Sequence, residues 1–190
     1  MTAMSSVTEP VSPPAPSILP NPAAPGMRGL DSLMIVRATP AHVPYLRRLK
    51  EAVMTDRYRP AADEAGFAEW RDLYCTDEYF QSIIANPDAL MLCIGTLRDP
   101  VGMVVLRRGA DELEVDDLLV LMPRQGDGTR LLVAALRYAE VWRSQRVFID
   151  VYPGHDQTET FIESHGFQDA GEVSNDLGRP MRRFARLVAS

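Results

Sequence analysis

A chain of 190 residues suits one domain of ordinary size, with room for a sizeable core. With 46% hydrophobic and 24% charged residues the body reads as globular, and no apolar run approaches the roughly 18 residues of a membrane span, so no membrane helix is expected. The formal charge of -6 argues against a nucleic-acid surface, which asks for a basic patch, and favours neutral or cationic small partners.

In chain order, residues 1–33 come first as a proline-rich tail. Seven of the 15 prolines fall before residue 30, and each fixes φ and removes a ladder donor, so disorder is expected there. No basic segment followed by an uninterrupted apolar stretch precedes Met27, so a secretory signal is not expected. The folded body is expected over 34–190. It opens with a strand at Met34–Ala38 and a helix started by Thr39-Pro40, whose apolar face carries Val43, Leu46, Leu49 and Val53. A polar-aromatic segment to Tyr79 is assigned no element. A second helix is expected from Asp77 to Ile84 or Ala85, capped by Thr76 or Asp77 and stopped before Asn86-Pro87.

Three strand-like runs follow, Leu90–Leu97, Val101–Arg107 and Leu113–Leu121. Their connections are too short for helical crossovers, so antiparallel pairing is expected. After Gly128 the period changes. Leu131, Leu132, Ala135, Leu136, Ala139 and Trp142 trace a helix face, Arg146–Val151 is the next strand, and this unit is long enough for a parallel crossover. A helix over Asp156–His165 and a hairpin complete an α/β (α+β) sheet that is mostly antiparallel and flanked by helices. Cys75 and Cys93 show no C-x-x-C spacing, so neither a disulfide frame nor a zinc ribbon is expected, and a reducing cytoplasm is the expected compartment. His42, His155 and His165 show no metal spacing, so no metal is expected.

The stretch Leu121-Met122-Pro123-Arg124-Gln125-Gly126-Asp127-Gly128-Thr129 sets two glycines between a strand and a helix. Free backbone N–H groups and the positive end of a helix dipole attract an anion in such a place. A P-loop would need a lysine after the second glycine, and the only lysine in the chain is Lys50. A dinucleotide fingerprint is weighed on Asp150, about 22 residues after Gly128, but Leu131 holds the third glycine position. A plain turn before a helix is the third reading.

Two motifs carry a resemblance covering Met34 to Val188. VDDLLVLMPRQGDGTRLL is similar to the fourth strand and pyrophosphate loop of the GNAT superfamily of N-acetyltransferases, and DVYPGHDQTETFIESHGF to its second signature. The resemblance implies a mixed sheet that splays between the strands Leu113–Leu121 and Val147–Val151, with acetyl-CoA threaded through the opening. It implies pyrophosphate binding by Gln125, Gly126, Asp127, Gly128 and Thr129 with charge from Arg124. Pantetheine would lie along Leu119, Val120 and Leu121. Asp116 or Asp117 would accept the proton of a primary amine on a small molecule or peptide, and a homodimer is compatible with it. Strand alternation puts Asp116 and Asp117 on opposite faces, so one alone is expected to address the cleft. The aromatic set Phe67, Trp70, Tyr74, Tyr79 and Phe80 either walls an acceptor pocket or packs the core.

The chain departs from the family pattern at several positions. The loop from Val120 to Gly128 is about two residues short, and Asp127 sets a carboxylate beside the phosphate position. Ile162 stands where a tyrosine usually protonates the leaving thiolate, so Tyr152, His155 or solvent would take that role. The alternative is a domain without catalysis, a CoA or ligand sensor or a protein-interaction module.

Overall fold

The computed structural model describes residues 33–57 and 64–188. The proline-rich tail up to Ser32 and the Tyr58-Arg59-Pro60 segment lie outside the described residues.

The body alternates strand and helix as the hydrophobic periods dictate. β1 (Ile35–Arg37) leads to a 3-10 turn at Pro40–His42 and then α1 (Val43–Arg57). Proline starts that turn because its missing N–H has no helical partner to lose. The Thr39 amide donates to His42 Nδ1 at 3.1 Å, which satisfies a buried histidine without any metal or substrate. α2 (Glu64–Tyr74) fills the segment assigned no element from the sequence. α3 (Asp77–Ala85) starts at Thr76, whose hydroxyl accepts from the Tyr79 amide at 3.2 Å, and ends before Asn86-Pro87 as expected.

β2 (Ala89–Gly95), β3 (Pro100–Arg108) and β4 (Glu112–Val120) form an antiparallel meander. β2 and β3 are buried along most of their length, which is why they read as continuous apolar runs and not as alternating ones. α4 (Asp127–Val141) crosses back to β5 (Arg146–Val151). α5 (Asp156–Ser164) leads to the hairpin of β6 (Gln168–Ser174) and β7 (Pro180–Leu187). The described residues make one seven-stranded sheet in the order β1-β2-β3-β4-β5-β7-β6. The three N-terminal helices pack on one face around Leu46, Val53, Phe80, Met91 and Met103. α4 and α5 pack on the other around Leu106, Leu113, Leu131, Val147 and Phe184.

Two irregularities set up the cleft. β4 and β5 are the parallel pair, and their pairing stops at Glu114 against Phe148, so beyond that point the two strands part. The β3–β4 register steps from Leu106 opposite Val115 to Val105 opposite Asp117, which leaves Asp116 without a cross-strand partner. That is a β-bulge, and a bulge bends its strand and redirects a side chain.

Candidate functional site

The parting of β4 from β5 opens a cleft of about 1410 Å³. Both Asp116 and Asp117 line it. This corrects the alternation argument: the extra residue at Asp116 breaks the period of two, so neighbouring carboxylates reach one cavity. They differ in their partners. Asp116 Oδ2 accepts from both Nε and Nη2 of Arg107 at 2.9 Å. Asp117 Oδ2 accepts from the Lys50 ammonium and, at 3.4 Å, from the Tyr79 hydroxyl. Asp150, at the same cleft, is held by Arg183 through two hydrogen bonds of 2.8 and 2.7 Å.

Glu114 also faces the cleft, at the last paired position before β4 and β5 separate. Among the described residues no hydrogen bond or ion pair engages its carboxylate. Burial, reinforced by the Asp116 charge and opposed by Arg107, pushes its pKa up to about 7. Asp116 is raised too, by desolvation first and Asp117 second, although 31% of its side chain still meets the cleft solvent. Sequence reading passed over Glu114 because it sits just ahead of the motif. Its position two residues before an Asp-Asp pair was the available signal.

The Lys50 ammonium lies 4.4 Å from the ring centre of Tyr79, 5.4 Å from that of Trp70 and 5.7 Å from that of Tyr74. All four residues line the cleft. The predicted aromatic set therefore divides: Trp70, Tyr74 and Tyr79 reach the cavity, whereas Phe67 and Phe80 are core.

At the other end of the cleft, α4 begins at Gly126, whose φ of 86° is left-handed and whose position has no capping side chain. Glycine adopts that conformation without a Cβ penalty. Arg130 N donates to Gly126 O at 3.0 Å, and among the described residues the amides of Asp127, Gly128 and Thr129 have no acceptor. Of the predicted cofactor residues, Leu119, Val120, Arg124, Gly126, Gly128 and Thr129 line the cleft, while Leu121, Gln125 and Asp127 do not. The Asp127 carboxylate turns to Arg130, 3.4 Å away, which offsets its charge near the amides. The Leu121 amide bonds to Val101 O at 2.8 Å, so alternation turns the backbone groups of Leu118 and Val120 toward the opening. The carbonyls of Val120 and Leu121 already accept from Arg57, at 2.7 and 2.9 Å.

Tyr152 and His155 both line the cleft beyond the end of β5. The Tyr152 hydroxyl accepts from Asn175 Nδ2 at 3.2 Å, and burial raises its pKa, keeping it protonated. Burial lowers the pKa of His155, which keeps the imidazole neutral near pH 7. Ile162 is 1% exposed and packs in the core. His165 Nδ1 contacts the carbonyl of Phe161 at 2.7 Å near the end of α5, a structural use.

A mixed seven-stranded sheet whose one parallel junction splays beside an uncapped helix N-terminus is the GNAT acetyltransferase fold. Solved structures bear this out. The PaiA N-acetyltransferase of Thermoplasma acidophilum, determined in complex with coenzyme A, is similar at a TM-score of 0.71 and 16% identity, over 82% of this chain and 99% of that one. A GNAT-family protein from Desulfovibrio desulfuricans is similar at a TM-score of 0.65 and 16% identity, over 83% and 100%. The ribosomal-protein-S18-alanine N-acetyltransferase of Escherichia coli is similar at 0.63 and 15% identity, over 83% and 94%. No family model and no curated protein matches the sequence. Among the described residues no helix is long and apolar enough to cross a membrane.

Proposed function

We propose that the protein is an acyl-CoA-dependent N-acyltransferase, with acetyl as the expected group, acting on a primary amine of a small molecule or peptide. The observation that carries this reading is the meeting, in one cleft, of the start of α4 and a Glu114 carboxylate that is unpaired among the described residues, at the parting of β4 and β5.

The residues present fit acetyl-CoA. The amides of Asp127, Gly128 and Thr129 lack acceptors among the described residues and would hold pyrophosphate with the helix dipole behind them, and Arg124 adds a cation. Backbone groups of Leu118 and Val120 at the open strand edge would pair with the pantetheine amides. Bound acetyl-CoA supplies an activated thioester, which a neutral amine attacks so that a C–N bond forms as the C–S bond breaks.

Glu114 takes the proton of the amine, because a base with a pKa near 7 is half ionised at neutral pH and still accepts protons effectively. Asp116 and Asp117, both committed to cations, set the field around Glu114. Tyr152 returns a proton to the leaving sulfur, since it is protonated at neutral pH while His155 carries no imidazolium there. Positioning in the cleft supplies most of the acceleration.

The rival reading is a CoA sensor without catalysis, favoured by Ile162 buried in the core where the family's tyrosine stands. Calorimetry with acetyl-CoA followed by thiol release across an amine panel tests both. Binding with thiol release supports the enzyme, binding without release leaves the sensor, and no binding at high micromolar ligand removes both.

A further inference from the structure

The chain meets every other need for a fixed cation with arginine: of its 20 basic residues Lys50 is the one lysine. That lysine is 2% exposed on α1, a place lysine rarely takes. Its ammonium is enclosed by Trp70 and Tyr74 from α2, Tyr79 from α3 and the Asp117 carboxylate from β4. Three ring faces around a compact charge, closed by one carboxylate, are the chemistry that recognises alkylammonium ions. All five residues border the cleft, so the enclosure opens onto the space where an acceptor would enter.

We propose that Trp70, Tyr74, Tyr79 and Asp117 form an alkylammonium-binding site that Lys50 fills from within, and that this internal occupant closes the α1–α3 wall of the cleft to cationic acceptors. The second half rests on the acyltransferase reading; the first does not. With Lys50 in place, the carboxylate left to receive an acceptor amine beside the β4–β5 junction is Glu114. Truncating Lys50 empties the enclosure without removing any of its walls, and an external alkylammonium ion then takes the vacated place.

The test is rescue of Lys50→Ala in the full chain without acetyl-CoA. Its melting temperature should fall by on the order of 10 °C, because Asp117 is left buried without its partner. Methylammonium or butylammonium chloride at tens of millimolar should recover at least about 3 °C relative to sodium chloride at equal ionic strength, with a matching change in Trp70 fluorescence. Wild type and Lys50→Ala/Asp117→Asn should show no such gain. If Lys50→Ala does not fold unaided, the same comparison is made on its refolding yield. A response to butylammonium no larger than to sodium overturns the site.

A second arm reads acceptor scope by thiol release. Lys50→Ala should raise kcat/KM for 1,4-diaminobutane relative to butylamine by about tenfold over wild type, and an unchanged ratio overturns the wall. Wild type that binds acetyl-CoA but releases no thiol with any amine would instead remove the acyltransferase reading, leaving the rescue result to stand.

Discussion

Glu114→Gln separates two consequences of one half-buried carboxylate. Folding lifts the pKa of Glu114 from an ordinary 4.5 to about 7, so between those values the folded chain holds a proton that the unfolded chain has released. Stability contributed by this group is therefore greatest below pH 4.5 and declines as pH rises toward 7, after which the penalty is constant. A rise from 4.5 to about 7 corresponds to about 3 kcal/mol at 1.36 kcal/mol per tenfold change. Glu114 faces an open cleft, and screening there reduces the figure to about 1–3 kcal/mol. Glutamine keeps the size and removes the charge. Thermal melts should thus show Glu114→Gln equal to wild type at pH 4 and higher by roughly 4–8 °C at pH 8. The same substitution should lower kcat/KM at pH 8 by about 100-fold or more and abolish an acidic limb centred near pH 7. A margin over wild type no larger at pH 8 than at pH 4 refutes the burial argument; a retained limb refutes the assignment of the base.

Three further outcomes follow from the same cleft. Asp116→Asn removes the charge that contributes most, after burial, to raising Glu114, so the acidic limb of kcat/KM should move to lower pH while the maximum rate changes less than tenfold; a loss of about 100-fold would instead make Asp116 the base. Gly126→Ala meets open space but must hold a φ of 86°, so melts should show a loss of about 1–2 kcal/mol, and calorimetry a weaker affinity for CoA, with Gly126→Asn milder in both. Tyr152→Phe should lower kcat by about tenfold or more with KM for acetyl-CoA little changed, and His155→Ala should not, because only the phenol holds its proton at neutral pH.

The strands and most helices were legible because their signals are local. Thr76 before Asp77, Pro87 after Asn86, and the spacing from Leu131 to Trp142 each bear on neighbours within a turn or two. α2 escaped although Phe67, Trp70 and Tyr74 recur at helical spacing. Gly66 interrupts that stretch, and the helix draws its stability from packing Phe67 and Trp70 into the core beneath it. The glycine loop could be placed by its position between strand and helix. Where the Asp127 carboxylate turns could not, because the answer depends on Arg130 in three dimensions.

The larger failure of sequence reasoning concerned Asp116 and Asp117, and it has one cause. Alternation with a period of two holds for a regular strand, and nothing in Val115-Asp116-Asp117-Leu118 signals the bulge that breaks it. Once both carboxylates face one cavity, like-charge repulsion must be offset, and the fold does so by assigning a cation to each: Arg107 from the adjacent strand to Asp116, and Lys50, 67 residues earlier in the chain, to Asp117. Those two pairings leave Glu114 as the carboxylate with burial and negative neighbours but, among the described residues, no bound cation, which is what a base near neutrality requires. The bulge, the lone lysine and the choice of base are thus one arrangement, and each becomes readable only when the other two are in place.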